Sequence, residues 1–173
     1  MTDTMTRIAA GLERAFAANG FAEPSVEDLR DAAGVSLRTL YKYAPSRDEM
    51  VRAALDHRHQ RYMAHVFADL PQEHGAALGA IVDRIADWMA REASHGCLFH
   101  AAVAAAPRDA GLRALLARHK AEVAERAARA SGLPGREVDL TLVIEGLTQS
   151  WPLHGDATAA SARRLCDALR AMP

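Results

Sequence analysis

Aromatic side chains are scarce in this chain, only 5% of its 173 residues. No stretch alternates apolar and polar residues over the length of a strand, and strands draw on aromatic and β-branched residues in that period. A β-rich fold is therefore not expected. Cysteine is nearly absent too: Cys97 and Cys166 stand far apart with no CxxC pair, so neither a disulfide framework nor a thiolate zinc site is indicated. Both are expected as buried free thiols. The longest run uninterrupted by a polar residue or glycine, Ala101–Pro107, has seven residues, whereas a bilayer-spanning helix needs about 20. Met1–Arg7 contains Asp3 and lacks the apolar core of a signal peptide. A soluble, cytoplasmic protein without a membrane partner is the expectation. An excess of one charge is also missing, since 21 Lys and Arg face 22 Asp and Glu for a net charge of -1. No global basicity announces a nucleic-acid partner, and DNA binding would have to come from local charge.

What is present favours helices. Half the residues are apolar, with much of that share in alanine, the best helix former. Ile8, Leu12, Ala15 and Phe16 fall on one helical face that Gly20 terminates. Ser25 is placed to cap a short helix carrying Leu29, Ala32 and Ala33, which ends at Gly34. Ser36 caps another, with Leu37, Leu40, Tyr41 and Ala44 in helical register until Pro45 stops it. Ser46 opens a long fourth helix through Met50, Ala54, Tyr62 and Phe67. Leu78, Ile81, Val82, Ile85, Trp88 and Met89 form the strongest stripe in the chain and predict a fifth. A sixth helix is expected over Cys97–Ala106 and a seventh from Asp109 to the stop at Gly132. The last two are expected over about Glu137–Trp151 and Ala157–Met172, separated by Pro152 and Gly155. Pro152 should end the eighth helix near Trp151. The reading is all-α with about nine helices.

Residues 26–44 have the helix, tight glycine turn, helix layout of a DNA-binding helix-turn-helix, whose second helix enters the major groove. From Ser36 to Arg47 there are three basic residues, Arg38, Lys42 and Arg47, and no acidic one. Ser36, Thr39, Tyr41 and Tyr43 add hydroxyl donors suited to phosphate. A few cations on a helix are also what a solvated face carries, so period and charge alone leave DNA binding open.

The ordered string from Val26 to Met50, with its Ala32-Ala-Gly-Val-Ser36 turn, its Thr39-Leu-Tyr41 core and its Pro45-Ser-Arg-Asp-Glu-Met50 helix start, closely resembles the N-terminal domain of TetR-family regulators. Helix one and its Gly20-Phe21 ending fit as well, so the match covers roughly residues 7–55. The resemblance implies an all-helical homodimer that binds double-stranded DNA through its first three helices, residues 1–46. The remainder, 47–173, would bind a small-molecule effector and dimerise through its last two helices. By position, Leu37, Arg38, Thr39, Lys42 and Tyr43 look like the exposed face of the recognition helix. Ser25, Ser36, Tyr41 and Arg47 look placed for phosphate. Arg38 and Lys42 suit guanine O6 and N7. Tyr43 and Ala44 depart from the family, which commonly has histidine and a bulky aromatic there, and a small Ala44 is expected to loosen the joint between helices three and four.

In the C-terminal part, Met63, Trp88, Phe99, His100, His119 and Trp151 are candidates for an effector pocket, although stripes at helical spacing also make any bundle core. Leu140, Val143, Ile144 and Leu147, with Leu165 and Leu169 on the next helix, are candidates for a dimer face built as a four-helix bundle. Burial within one subunit is the alternative. His57, His59 and His65 cluster on helix four, but no pair among them has the i, i+3 or i, i+4 spacing of helical metal ligands. Cys97 and His100 stand one turn apart. No nucleophile, base and orienting group come together, so no enzyme activity, metal or cofactor is expected. A helical enzyme using Cys97 with His100, and an interaction module that no longer reads DNA, are the competing readings.

Overall fold

The computed structural model describes residues 3–93 and 96–172. Among the described residues it contains nine α-helices and no strand: α1 Asp3–Asn19, α2 Val26–Ala33, α3 Leu37–Tyr43, α4 Arg47–Phe67, α5 His74–Glu92, α6 Leu98–Ala105, α7 Ala110–Ser131, α8 Glu137–His154 and α9 Asp156–Ala171. The chain forms two compact units. One takes the chain up to Arg61 with Leu98–Ala114, and the other takes Tyr62–Cys97 with the chain from Leu115 onward. The first division falls inside α4.

In the first unit the α1 stripe is buried as its spacing requires, with Ile8, Leu12 and Phe16 fully inaccessible. Each such side chain contributes up to about 1.5–3 kcal/mol relative to exposure. Gly11 allows α1 to approach α2 closely, because a Cβ there would overlap the Ala32 carbonyl oxygen and the Ala33 Cα. Ser25 caps α2 in a reciprocal box: the Asp28 amide donates to Ser25 Oγ at 3.2 Å, and the Ser25 amide donates to Asp28 Oδ2 at 2.8 Å. Gly34 ends α2 at φ 64°, the left-handed region where a Cβ is costly. The α4 start is capped by Ser46, whose hydroxyl accepts from the Glu49 amide at 3.2 Å. Asp109 does the same for α7, accepting from the amides of Gly111 and Leu112 at 2.7 and 3.1 Å, and it also pairs with Arg52 at 3.1 Å.

One polar group lies deep in this unit. Glu13 on α1 is 2% exposed. Its Oε1 accepts from Arg58 at 3.0 Å and Arg61 at 2.8 Å, and its Oε2 lies 2.5 Å from His57 Nδ1. A buried carboxylate is tolerated when it is surrounded in this way, and the cluster ties α1 to α4.

The second unit is organised around the α5 stripe. Leu78, Ile81, Ile85 and Met89 share one core with Val123 and Ala127 of α7, Leu140, Ile144 and Leu147 of α8, and Ala162, Cys166 and Leu169 of α9. Tyr62 presents an edge-on ring contact to Trp88 at 5.4 Å and another to His119 at 5.3 Å between centroids. Arg84 supplies donors to carbonyls in the last turn of α4 and just beyond it, including Val66 at 3.2 Å and Asp69 at 3.3 Å, the satisfaction a helix C-terminus needs.

Pro152 does not end α8, which runs on to His154. The ring removes only its own amide bond and sits in the last turn, where Gly155 donates to the Trp151 carbonyl at 2.9 Å. The ring also crowds the carbonyl one turn back, but it does not forbid the residues after it from completing the turn, and α8 carries on only through Leu153 and His154. Gly155 at φ 51° is the single residue between α8 and α9.

Candidate nucleic-acid interface

Helix α3 has seven residues and divides them sharply. Leu40 is fully buried, which anchors one face, and Ala44 just beyond it is 1% exposed with its amide closing on the Leu40 carbonyl at 2.8 Å. Opposite lie Arg38, Tyr41 and Lys42, all exposed, flanked by half-buried Leu37, Thr39 and Tyr43. A helix anchored by one leucine and capped at its start presents these side chains on a defined surface. Lys42 Nζ lies 5.7 Å from the Tyr43 ring centroid, a cation–π contact that restrains the lysine without neutralising it. Arg38 has no hydrogen bond or ion pair among the described residues. It is an uncommitted cation on an acid-free face.

The capping serines are engaged internally. Ser36 Oγ accepts from the Thr39 amide at 3.1 Å and lies 2.9 Å from Thr39 Oγ1. Ser25 Oγ donates to Asp28 Oδ2 at 2.6 Å. That hydroxyl, together with the Ser25 amide, holds the Asp28 carboxyl below its ordinary range. Arg47 is half-buried, donating to the Phe21 carbonyl at 2.8 Å with its guanidinium 5.9 Å from the Phe16 ring. The cation therefore already braces the start of α4 against the end of α1. Nothing in the sequence pattern pointed to that bond, which joins residues 26 positions apart.

Residues 8–54, which include this whole arrangement, match the family model of bacterial regulatory proteins of the tetR family. That segment is similar to the N-terminal part of tetR-family regulators. Solved structures of similar fold span nearly the whole chain. A TetR-family protein from a Rhodococcus species superimposes with a TM-score of 0.78 at 22% identity, covering 98% of this chain and 99% of that one. One from Haloarcula marismortui gives 0.79 at 16% identity, covering 98% and 97%. One from Streptomyces coelicolor gives 0.75 at 20% identity, covering 98% and 95%. At these identities the likeness shows the fold, all-α and TetR-like. No curated protein sequence matches the chain.

The candidate effector residues are placed as follows. Met63, Trp88 and Trp151 are part of the packed core of the second unit, and His119 is 5% exposed against Tyr62. Phe99 and His100 lie on α6 in the first unit, Phe99 buried and His100 half-buried. A groove of about 420 Å³ lies between α8 and α9, lined by residues including Leu142, Gly146, Ser150, Ser161 and Leu165, and by none of the six candidates.

The candidate dimer residues separate by burial. Leu140, Ile144, Leu147 and Leu169 are at most 7% exposed and belong to the subunit's own core. That burial removes them from any outer face. Val143 is partly buried against the same core, and Leu165 remains open at 56%. The outward apolar side chains of α8 are instead Val138, Leu142 and Leu153. Helix α8 is apolar on two sides: Leu140, Ile144, Leu147 and Trp151 form one helical stripe, while Val138, Leu142 and Gly146 form another at the same spacing. The second stripe was present in the sequence and eclipsed by the first.

His57 faces Glu13, and His65 lies 3.3 Å from Asp87. Among the described residues no three metal-ligating side chains gather at one place, and no helix is long and apolar enough to cross a membrane.

Proposed function

We propose that the regulator is a homodimeric repressor that reads a palindromic operator in double-stranded DNA through α3 and leaves it when a small molecule binds the C-terminal part. Residues 1–46 serve as the DNA-binding domain and 47–173 as the effector-binding and dimerisation domain. The observation that carries this reading is the exposed, acid-free face of α3, where Arg38 and Lys42 project from a helix fixed by buried Leu40. Arg38 and Lys42 make the base contacts, Leu37, Thr39 and Tyr43 pack along the groove, and Tyr41 donates to phosphate. Ser25, Ser36 and Arg47 are mainly engaged in holding the three helices, so their backbone neighbours and remaining donors give secondary phosphate contacts. Dimerisation uses the outward stripe of α8 with Leu165 of α9, an apolar surface that a single subunit leaves open. Two-fold symmetry then sets two α3 helices one duplex turn apart, or a multiple of it.

The experiment is selection of bound duplexes from a random pool by the full chain, followed by titration of the selected sequence. Arg38→Ala and Lys42→Ala are each expected to weaken it by about 1–3 kcal/mol, relaxing sequence preference at one position. Affinity should fall steeply with salt. Recovery of no enriched sequence, or undiminished binding by the Arg38→Ala, Lys42→Ala double variant, would refute the assignment. Screening small molecules for release of the selected duplex tests the effector half.

A further inference from the structure

We propose that Cys97 is a peroxide-reactive thiol, a modification site assembled with Lys120 and Glu145 inside the second unit. Cys97 is partly exposed. Lys120 Nζ donates to its Sγ at 3.6 Å, and the same ammonium lies 2.6 Å from Glu145 Oε1. Lys120 and Glu145 are only 18% and 21% exposed, so this chain of thiol, ammonium and carboxylate is held away from bulk water, where its charges act more strongly. An ammonium donating to sulfur favours the thiolate, which is the nucleophile. Glu145 fixes the lysine in place and tempers its effect on the sulfur. Tyr62 reports the same grouping from a third helix: its phenol is pushed well up by burial, and further by the negative charge of Cys97 and Glu145 nearby.

The other cysteine shows the contrast. Cys166 is packed in the core, and burial, with Asp167 nearby, pushes its thiol up to about 11. It is the inert kind of cysteine. At Cys97 the step is the attack of thiolate Sγ on one oxygen of hydrogen peroxide. The S–O bond forms as the O–O bond breaks, the sulfur is oxidised to sulfenic acid, and the peroxide is reduced and leaves as hydroxide, which becomes water by taking up the proton the thiol released to solvent on ionising. Peroxide is small enough to reach a partly exposed sulfur. This site lies beyond the DNA-binding reading, and its test does not depend on that reading.

The native full-length protein is alkylated with iodoacetamide between pH 6 and 9, and each cysteine is followed separately by mass spectrometry. A parallel sample takes hydrogen peroxide with dimedone to trap sulfenic acid. Cys97 should react at least tenfold faster than Cys166 at pH 7 and should carry the dimedone adduct. Lys120→Met should slow Cys97 about tenfold and move its pH profile upward, and Lys120→Arg should restore much of the rate. Glu145→Gln should speed the reaction, because it frees the ammonium to act on sulfur alone. The proposal is overturned if Cys97 reacts no faster than Cys166. It is also overturned if a folded Lys120→Met protein keeps the parent rate and profile, or if Glu145→Gln leaves the rate unchanged or lowers it.

Discussion

Replacing Glu13 by glutamine is the sharpest test of what holds α1 to α4. Glu13 is 2% exposed and faces Arg58, itself 5% exposed, together with Arg61 and His57. The change is nearly isosteric, so packing is preserved and the electrostatic effect is isolated. Removing one partner of a buried ion pair typically costs about 3–5 kcal/mol, since the other charge keeps its desolvation penalty. The amide retains one acceptor oxygen and some hydrogen bonding, which places the expectation near the lower end, about 3 kcal/mol. Against a typical stability of about 5–15 kcal/mol this is a large fraction. Urea unfolding followed by circular dichroism, at matched protein concentration, would read it as a lower midpoint with little change in slope. The double variant Glu13→Gln, Arg58→Met should recover part of the loss, because it replaces the buried cation by an apolar side chain of similar length. A loss below about 1 kcal/mol for Glu13→Gln would refute the reasoning. It would mean that solvent already screens the cluster.

Gly11→Ala gains helix propensity worth about 1 kcal/mol but forces a methyl into the α2 backbone, an overpacking cost of about 1–3 kcal/mol or more where the neighbour cannot yield. A lower thermal midpoint is expected, and a stabilised variant would show that α1 and α2 do not approach as described. The exposed carboxylates of Asp28 and Glu73 and the half-buried one of Asp109 are held below their ordinary range chiefly by hydrogen bonds from the Ser25 hydroxyl, the Gly75 amide and the Leu112 amide respectively. Each favours the folded state above the ordinary carboxylate range and loses that contribution as pH falls through its depressed folded value. The urea midpoint should therefore hold from neutral pH down to about 4 and decline below it, whereas a rise on acidification would contradict these caps. Leu142→Arg on the open α8 stripe should leave subunit folding intact and give a monomer by sedimentation velocity. Leu140→Ala should instead cost about 2–5 kcal/mol of stability, and a swap of these two phenotypes would reverse the assignment of faces.

Much of the helix layout could be read directly from the residues. The caps at Ser25, Ser36 and Ser46 and the stops at Gly20 and Gly34 are local chemistry, decided by a hydroxyl or a missing Cβ within a few positions. The α5 stripe is legible for the same reason, since its period is a property of one segment. Pro152 was misleading because a proline loses its own amide bond and crowds the turn before it without forbidding helical residues after it, and only the actual helix end shows how far the chain continues.

Tertiary structure decided what each face meets. Leu140 and Leu142 are two residues apart and chemically alike, yet one is 1% exposed and the other 68%, because only packing against α5 and α9 chooses between two apolar stripes of one helix. Glu13 looked like an ordinary surface glutamate until α4 placed two arginines and a histidine around it, and Cys97 gained Lys120 from 23 positions away. The helix-turn-helix layout and its resemblance to tetR regulators followed from the sequence alone, because an ordered run of caps, turns and anchors is local information. The buried charges and the free face did not, because both depend on which distant residues share a space.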